Sequence, residues 1–137
     1  LGDRQTELLA DVVCHECGHT LGLRHNFKAS TIYSLAKINS DEVKGRPFTG
    51  SVMDYIPVNI NMHDGKLQGD FCMTDIGPYD FWAIEYGYTL GDPKDVLKRV
   101  AEPELVYGTD EDLYGGFLDD DDRPCPIGAT GRVADEV

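Results

Sequence analysis

From Arg4 to Leu21 apolar and polar residues recur with a helical period, and Gly18 is the only Gly or Pro. That pattern predicts a helix of about five turns. Stepping about 100° per residue from His15, the polar Glu7 and Asp11 fall with Gly18 on one narrow strip. Leu8, Val12, His15 and His19 share a second face, and Leu9, Val13 and Cys17 a third. A helix apolar on two sides is expected to be buried on both and to sit centrally. Residues 26–50 are mixed and polar, with a short helical stretch around Ile32 to Lys37, and Gly45, Pro47 and Gly50 mark irregular backbone. Residues 51–73, with Pro57, Gly65, Gly69 and Asn/Asp-rich turns, predict loop. A second long helix is predicted from Pro78 to Tyr86, with Pro78 at its first position and Gly87 as its stop. A short third helix is predicted at Asp92-Pro93, with Asp92 as N-cap. The chain after Pro103 is acidic, Gly-rich and without a clear period. The fold class expected is mainly α with long irregular loops.

Chemistry concentrates at the end of the first helix, where the chain reads His15-Glu16-Cys17-Gly18-His19-Thr20-Leu21-Gly22-Leu23-Arg24-His25. His15 and His19 are one turn apart, about 40° round the helix, so both imidazoles reach one point. Glu16 is one step away, placed to address a metal-bound water without ligating the metal. Gly22 lies where the helix must end, and a glycine there can take positive φ and reverse the chain. The reversal returns His25 as a third ligand and completes the extended zinc motif of the metzincins. Three histidines plus water make an open, catalytic zinc (Zn2+) site rather than a closed structural one. Cys14 and Cys17 project at about 260° and 200° on the same wheel. Their thiols therefore point away from the metal side and are expected to be small buried residues. His63, on a loop, is expected to be a surface residue. Asp110 to Asp121 partly mimics a calcium loop, but Tyr114 stands at its fifth position and no Glu at its twelfth. The run Asp119 to Asp122 is expected to be a solvated acidic loop.

Further on, Ser51-Val52-Met53-Asp54-Tyr55 resembles the Met-turn of metzincin proteases. The resemblance implies that Met53 packs its thioether beneath the metal. It also implies that Tyr55 is a candidate switch ligand, bound to zinc at rest and swinging out to stabilise the oxyanion, although Tyr is equally a common packing residue. The run His15 to Lys28, the SVMDY segment, Tyr79-Asp80 through Tyr88, and Tyr107 to Asp112 together resemble a bacterial family of large zinc-dependent metalloproteases. In that family these elements form a Met-zincin domain within a much longer chain. The resemblance implies that residues 1–112 are a catalytic core fragment, comprising the active-site helix and C-terminal subdomain of a zincin that is α+β when whole. Residues 113–137 would then be an acidic extension. The implied activity is metalloendopeptidase cleavage of a peptide or protein substrate by zinc-activated water. Glu16 would be the general base. An N-terminal subdomain carrying a substrate-aligning sheet is expected to precede Leu1, so the isolated chain is expected to be a poor protease and to self-associate through uncovered helix faces. The family favours a periplasmic or extracellular location. Cys17 departs from the aliphatic residue usual at its position. Two alternatives stay open: a non-catalytic zinc-binding or interaction domain, and a zinc hydrolase of a non-peptide bond.

Composition narrows the partners. The 137 residues carry 12 Lys+Arg against 25 Asp+Glu, a formal net charge of −13. That balance disfavours nucleic acid and anionic membrane surfaces, whose affinity rests on Lys and Arg. No apolar run approaches the roughly 18–20 residues of a bilayer span. The ends, Leu1-Gly2-Asp3-Arg4 and Asp135-Glu136-Val137, show neither initiator Met nor signal peptide and are expected to be cuts within a longer protein. Cys14, Cys17, Cys72 and Cys125 fit two disulfides or four thiols equally well.

Overall fold

The computed structural model describes residues 2–62 and 67–115, with side chains at 2, 3 and 113–115 left aside. Helix α1 spans Gly2–Thr20, α2 Leu35–Ile38, α3 Pro78–Tyr88, α4 Lys94–Leu97 and α5 Asp110–Gly115. Single 3-10 turns lie at Ala29–Ile32, Lys98–Ala101 and Pro103–Leu105. Among the described residues there is no strand, and long irregular segments join the helices. The chain is thus mainly helical, as its periodicity predicts. No described helix is long and apolar enough to cross a membrane.

Two small cores hold these elements. The first gathers Val43, Phe48, Val52, Met53 and Met73, with Leu23, Tyr33, Ile38, Ile56 and Ile76 packed around it. The second gathers Trp82 of α3, Val96 of α4 and Leu105, flanked by Tyr79 and Ala83. Trp82 Nε1 donates to the Val96 carbonyl at 2.8 Å, so the indole is both buried and satisfied.

The position of α1 differs from expectation. Its apolar faces are open: Leu9 is 64% exposed and Val12 57%, with Leu8 and Val13 exposed as well. Instead, the strip of Asp11 and Gly18 meets the body. Arg4 lies over the Phe71 ring, Asp11 accepts from the Met73 backbone, and Gly18 is buried against Met53. A glycine and a short carboxylate permit close approach of irregular backbone, which needs hydrogen-bond partners more than apolar cover. For the same reason Cys14 and Cys17, expected to be buried, are exposed free thiols on the uncovered side, while Cys72 is buried and also free.

Two helix boundaries also shift. Gly87 does not stop α3, which continues to Tyr88 and ends where Thr89 takes an extended conformation. Thr89 returns both its N–H and its hydroxyl to the Glu85 carbonyl, so a side-chain cap supplants the glycine stop. At α4 the N-cap is Pro93 rather than Asp92, although Asp92 Oδ1 still accepts from the Lys94 N–H at 3.1 Å. His63, Cys125, the run Asp119 to Asp122 and most of residues 113–137 lie outside the described residues.

Candidate metal centre

The end of α1 builds the first part of the site. Gly22 takes φ +90°. Its N–H bonds the His19 carbonyl and the Leu23 N–H bonds the Gly18 carbonyl, both at 3.0 Å. This is the paired closure of a Schellman motif, with Leu23 packing back over Gly18. The turn does chemical as well as topological work, because the Leu23 carbonyl it presents accepts from His19 Nδ1 at 3.0 Å.

His15 is fixed from across the molecule. Its Nδ1 lies 2.7 Å from the Val52 carbonyl. That peptide is held in turn by Asp80 at the third position of α3. Asp80 accepts from Val52 N–H at 2.9 Å, from Gly77 N–H at 2.8 Å and from the Ser51 hydroxyl, while Met53 N–H donates to Ser51 Oγ. Burial pushes the Asp80 carboxyl above its usual range, and these three donors and the nearby His15 oppose the rise. Met53, 0% exposed, lies directly beneath Gly18, where any Cβ would overlap its sulfur. In the sequence Gly18 falls on the polar strip, and its place between His15 and His19 is the local signal for close approach beneath the site.

His25 sits on the loop beyond the reversal. Asn26, 0% exposed, anchors that loop by donating its backbone N–H to the Met53 carbonyl and its amide to the Val106 carbonyl. Its Oδ1 accepts from Lys28 and Gly108 N–H groups. Nothing in the sequence pattern marked Asn26. His25 Nδ1 faces both carboxylate oxygens of Asp110, at 3.3 and 3.4 Å. Burial would raise that carboxyl, but the hydrogen bond from His25 and more distant Arg24 hold it below its usual range.

The three imidazoles therefore converge. Each Nδ1 meets a group that can only accept, two carbonyls and one carboxylate, so each must carry its proton there. Every Nε2 is left with a lone pair, and the three rings place their ligand atoms within 4.8 Å of one another. Among the described residues this is a group able to hold a metal ion, and neutral imidazole nitrogens in this number suit zinc. Tyr55 joins them: its hydroxyl is 2.8 Å from His25 Nε2, and its ring stacks on His15 at 5.4 Å. Glu16 stays exposed on α1, next to His15 and outside the triad. Cys14 and Cys17 are outside it too. The calcium-like stretch begins in α5, where Asp110 meets His25, Glu111 pairs with Arg24 and Asp112 accepts from Thr109 N–H; its remainder lies outside the described residues. A family profile described as Met-zincin matches residues 3–124. No curated protein and no solved structure shows a match to the chain.

Proposed function

The chain belongs to the Met-zincin family, and on that premise we propose that it is a zinc metallopeptidase core that hydrolyses peptide bonds. One observation carries the reading: the three rings bring their ligand atoms within 4.8 Å of one another while each Nδ1 is already committed to Val52, Leu23 or Asp110. His15, His19 and His25 would hold the ion. When bound, zinc supplies a Lewis acid that lowers the pKa of a coordinated water toward about 7.

The chain's own groups supply the remainder. Glu16, adjacent to the first ligand and open to solvent, takes the proton from the attacking water and returns it to the leaving amine. The Tyr55 hydroxyl, already within the ring of histidines, is either a further ligand at rest or a hydrogen-bond donor to the developing oxyanion. Met53 and Gly18 form the packed floor of a Met-turn, which fixes the distance between α1 and the segment carrying Val52. Alignment of an extended substrate falls, in this reading, to an upstream sheet of the active-site helix and C-terminal subdomain arrangement. The uncovered Leu9 and Val12 of α1 support such cover, or self-association where it is missing.

The test compares wild type with Glu16→Gln, zinc-loaded, against a peptide library, both as the 137-residue chain and with its natural upstream sequence. Cleavage by the longer wild type, lost in Glu16→Gln with zinc retained, is the expected result. Unchanged cleavage in Glu16→Gln would overturn the general-base role. Zinc binding without cleavage by any wild-type form would favour a non-catalytic zinc domain.

A further inference from the structure

The three histidines are not anchored alike. His15 and His19 ride on α1 and donate to peptide carbonyls at 2.7 and 3.0 Å. His25 stands on a loop past the helix and finds instead a side chain 85 residues away, the carboxylate of Asp110 at the first position of α5. The flanking bonds bring that carboxylate into place. Phe27 N–H donates to the Gly108 carbonyl at 2.7 Å, and Asn26 spans Val106 and Gly108. One residue further, Glu111 receives both of its 2.7 Å hydrogen bonds from Arg24. Segment 106–112 thus brackets the His25 loop on both sides, and at its centre sits the one charged side chain, among the described residues, that is hydrogen-bonded to any of the three rings.

We propose that Asp110 is the positioning residue for the third metal ligand. An anionic acceptor at Nδ1 fixes the tautomer that leaves Nε2 unprotonated, and its charge-assisted hydrogen bond holds the ring orientation more firmly than a carbonyl does. For a ligand on a loop this replaces the rigidity that α1 gives the other two. Asp110 touches neither substrate nor metal; it acts through His25. The inference rests on the zinc reading above.

The test measures zinc affinity of the full chain by chelator competition, and records the cobalt(II) ligand-field spectrum, for wild type, Asp110→Ala, Asp110→Asn and Glu111→Gln. Asp110→Ala is expected to weaken zinc binding by about 10–100-fold and to shift the cobalt bands. Asp110→Asn, which keeps an acceptor without its charge, loses a smaller factor. Glu111→Gln, which disturbs only the exposed pair with Arg24, stays within about fivefold with an unchanged spectrum. Affinity of Asp110→Ala within twofold of wild type would overturn the proposal. An equal loss in Glu111→Gln would overturn it as well, since clamping the loop would then explain everything. If Asp110→Ala does not fold, wild-type affinity in Asp110→Asn overturns it. A wild type that binds no zinc fails the metal reading itself, a result distinct from any of these.

Discussion

Asp80→Ala isolates how the body of the chain supports the site without touching it. Asp80 is 3% exposed and accepts from the Ser51 hydroxyl and from the Val52 and Gly77 N–H groups. Alanine leaves both N–H groups, on buried residues, without an acceptor. At about 1–3 kcal/mol for each buried unsatisfied group, the raw loss is about 2–6 kcal/mol. Relief of the carboxylate's own burial, visible in its raised pKa, opposes that loss. A net destabilisation of about 3 kcal/mol follows, a large share of the roughly 5–15 kcal/mol that domains possess. With m near about 1.5 kcal/mol/M in urea, the midpoint falls by roughly 2 M. Asp80→Asn keeps one oxygen for the two N–H groups, which both bond Oδ2, and is expected to fall about half as far. Urea titrations on metal-free protein avoid stabilisation by binding. Because Val52 is the peptide that holds His15, zinc affinity measured below the transition should fall along with stability. A midpoint within about 0.3 M of wild type would refute this reasoning.

Three further outcomes are expected. Gly18→Val forces a branched side chain onto the fully buried Met53 sulfur. It should cost about 1–3 kcal/mol in urea titrations and weaken zinc binding, whereas a silent substitution would show that the contact is easily relaxed. Asn26→Ala removes three side-chain hydrogen bonds from a residue 0% exposed. A loss of about 2–4 kcal/mol is expected, with faster proteolysis between Arg24 and Lys28. Burial, then Tyr107 and Asp80, push the Tyr79 hydroxyl up to about 12. Its folded pKa exceeds the unfolded value of about 10. The stability it contributes is therefore full below pH 10 and is lost as pH rises from about 10 to about 12. Tyr79→Phe should flatten that limb of the stability profile, and an unchanged slope would assign it elsewhere.

The parts legible in the sequence are those whose physics is local. The i, i+4 pair on α1, the glycine that reverses the chain and the histidine three residues later need only helical geometry and φ preference. The site's supports are long-range. Asp80 reaches Ser51 and Val52 across 28 or 29 residues, and Asp110 reaches His25 across 85. Both stand in first turns of helices, where a carboxylate is ordinarily explained by the helix itself. Asn26 belongs to no periodic pattern and Gly18 reads only as part of a polar strip, so their roles emerge only once Met53 is in place. The faces of α1 show the opposite failure: periodicity marked them as apolar but could not say what would cover them, and within the described residues nothing does.

The most direct measurement is X-ray absorption on the zinc-loaded chain, together with the zinc content per chain for wild type and His25→Ala. One zinc per wild-type chain is expected, with nitrogen or oxygen scatterers at about 2.0–2.1 Å, no sulfur, and most of the metal lost in His25→Ala. Sulfur at about 2.3 Å would move the metal to the exposed thiols of Cys14 and Cys17. That result, or zinc content unchanged by loss of His25, would contradict a centre built from His15, His19 and His25.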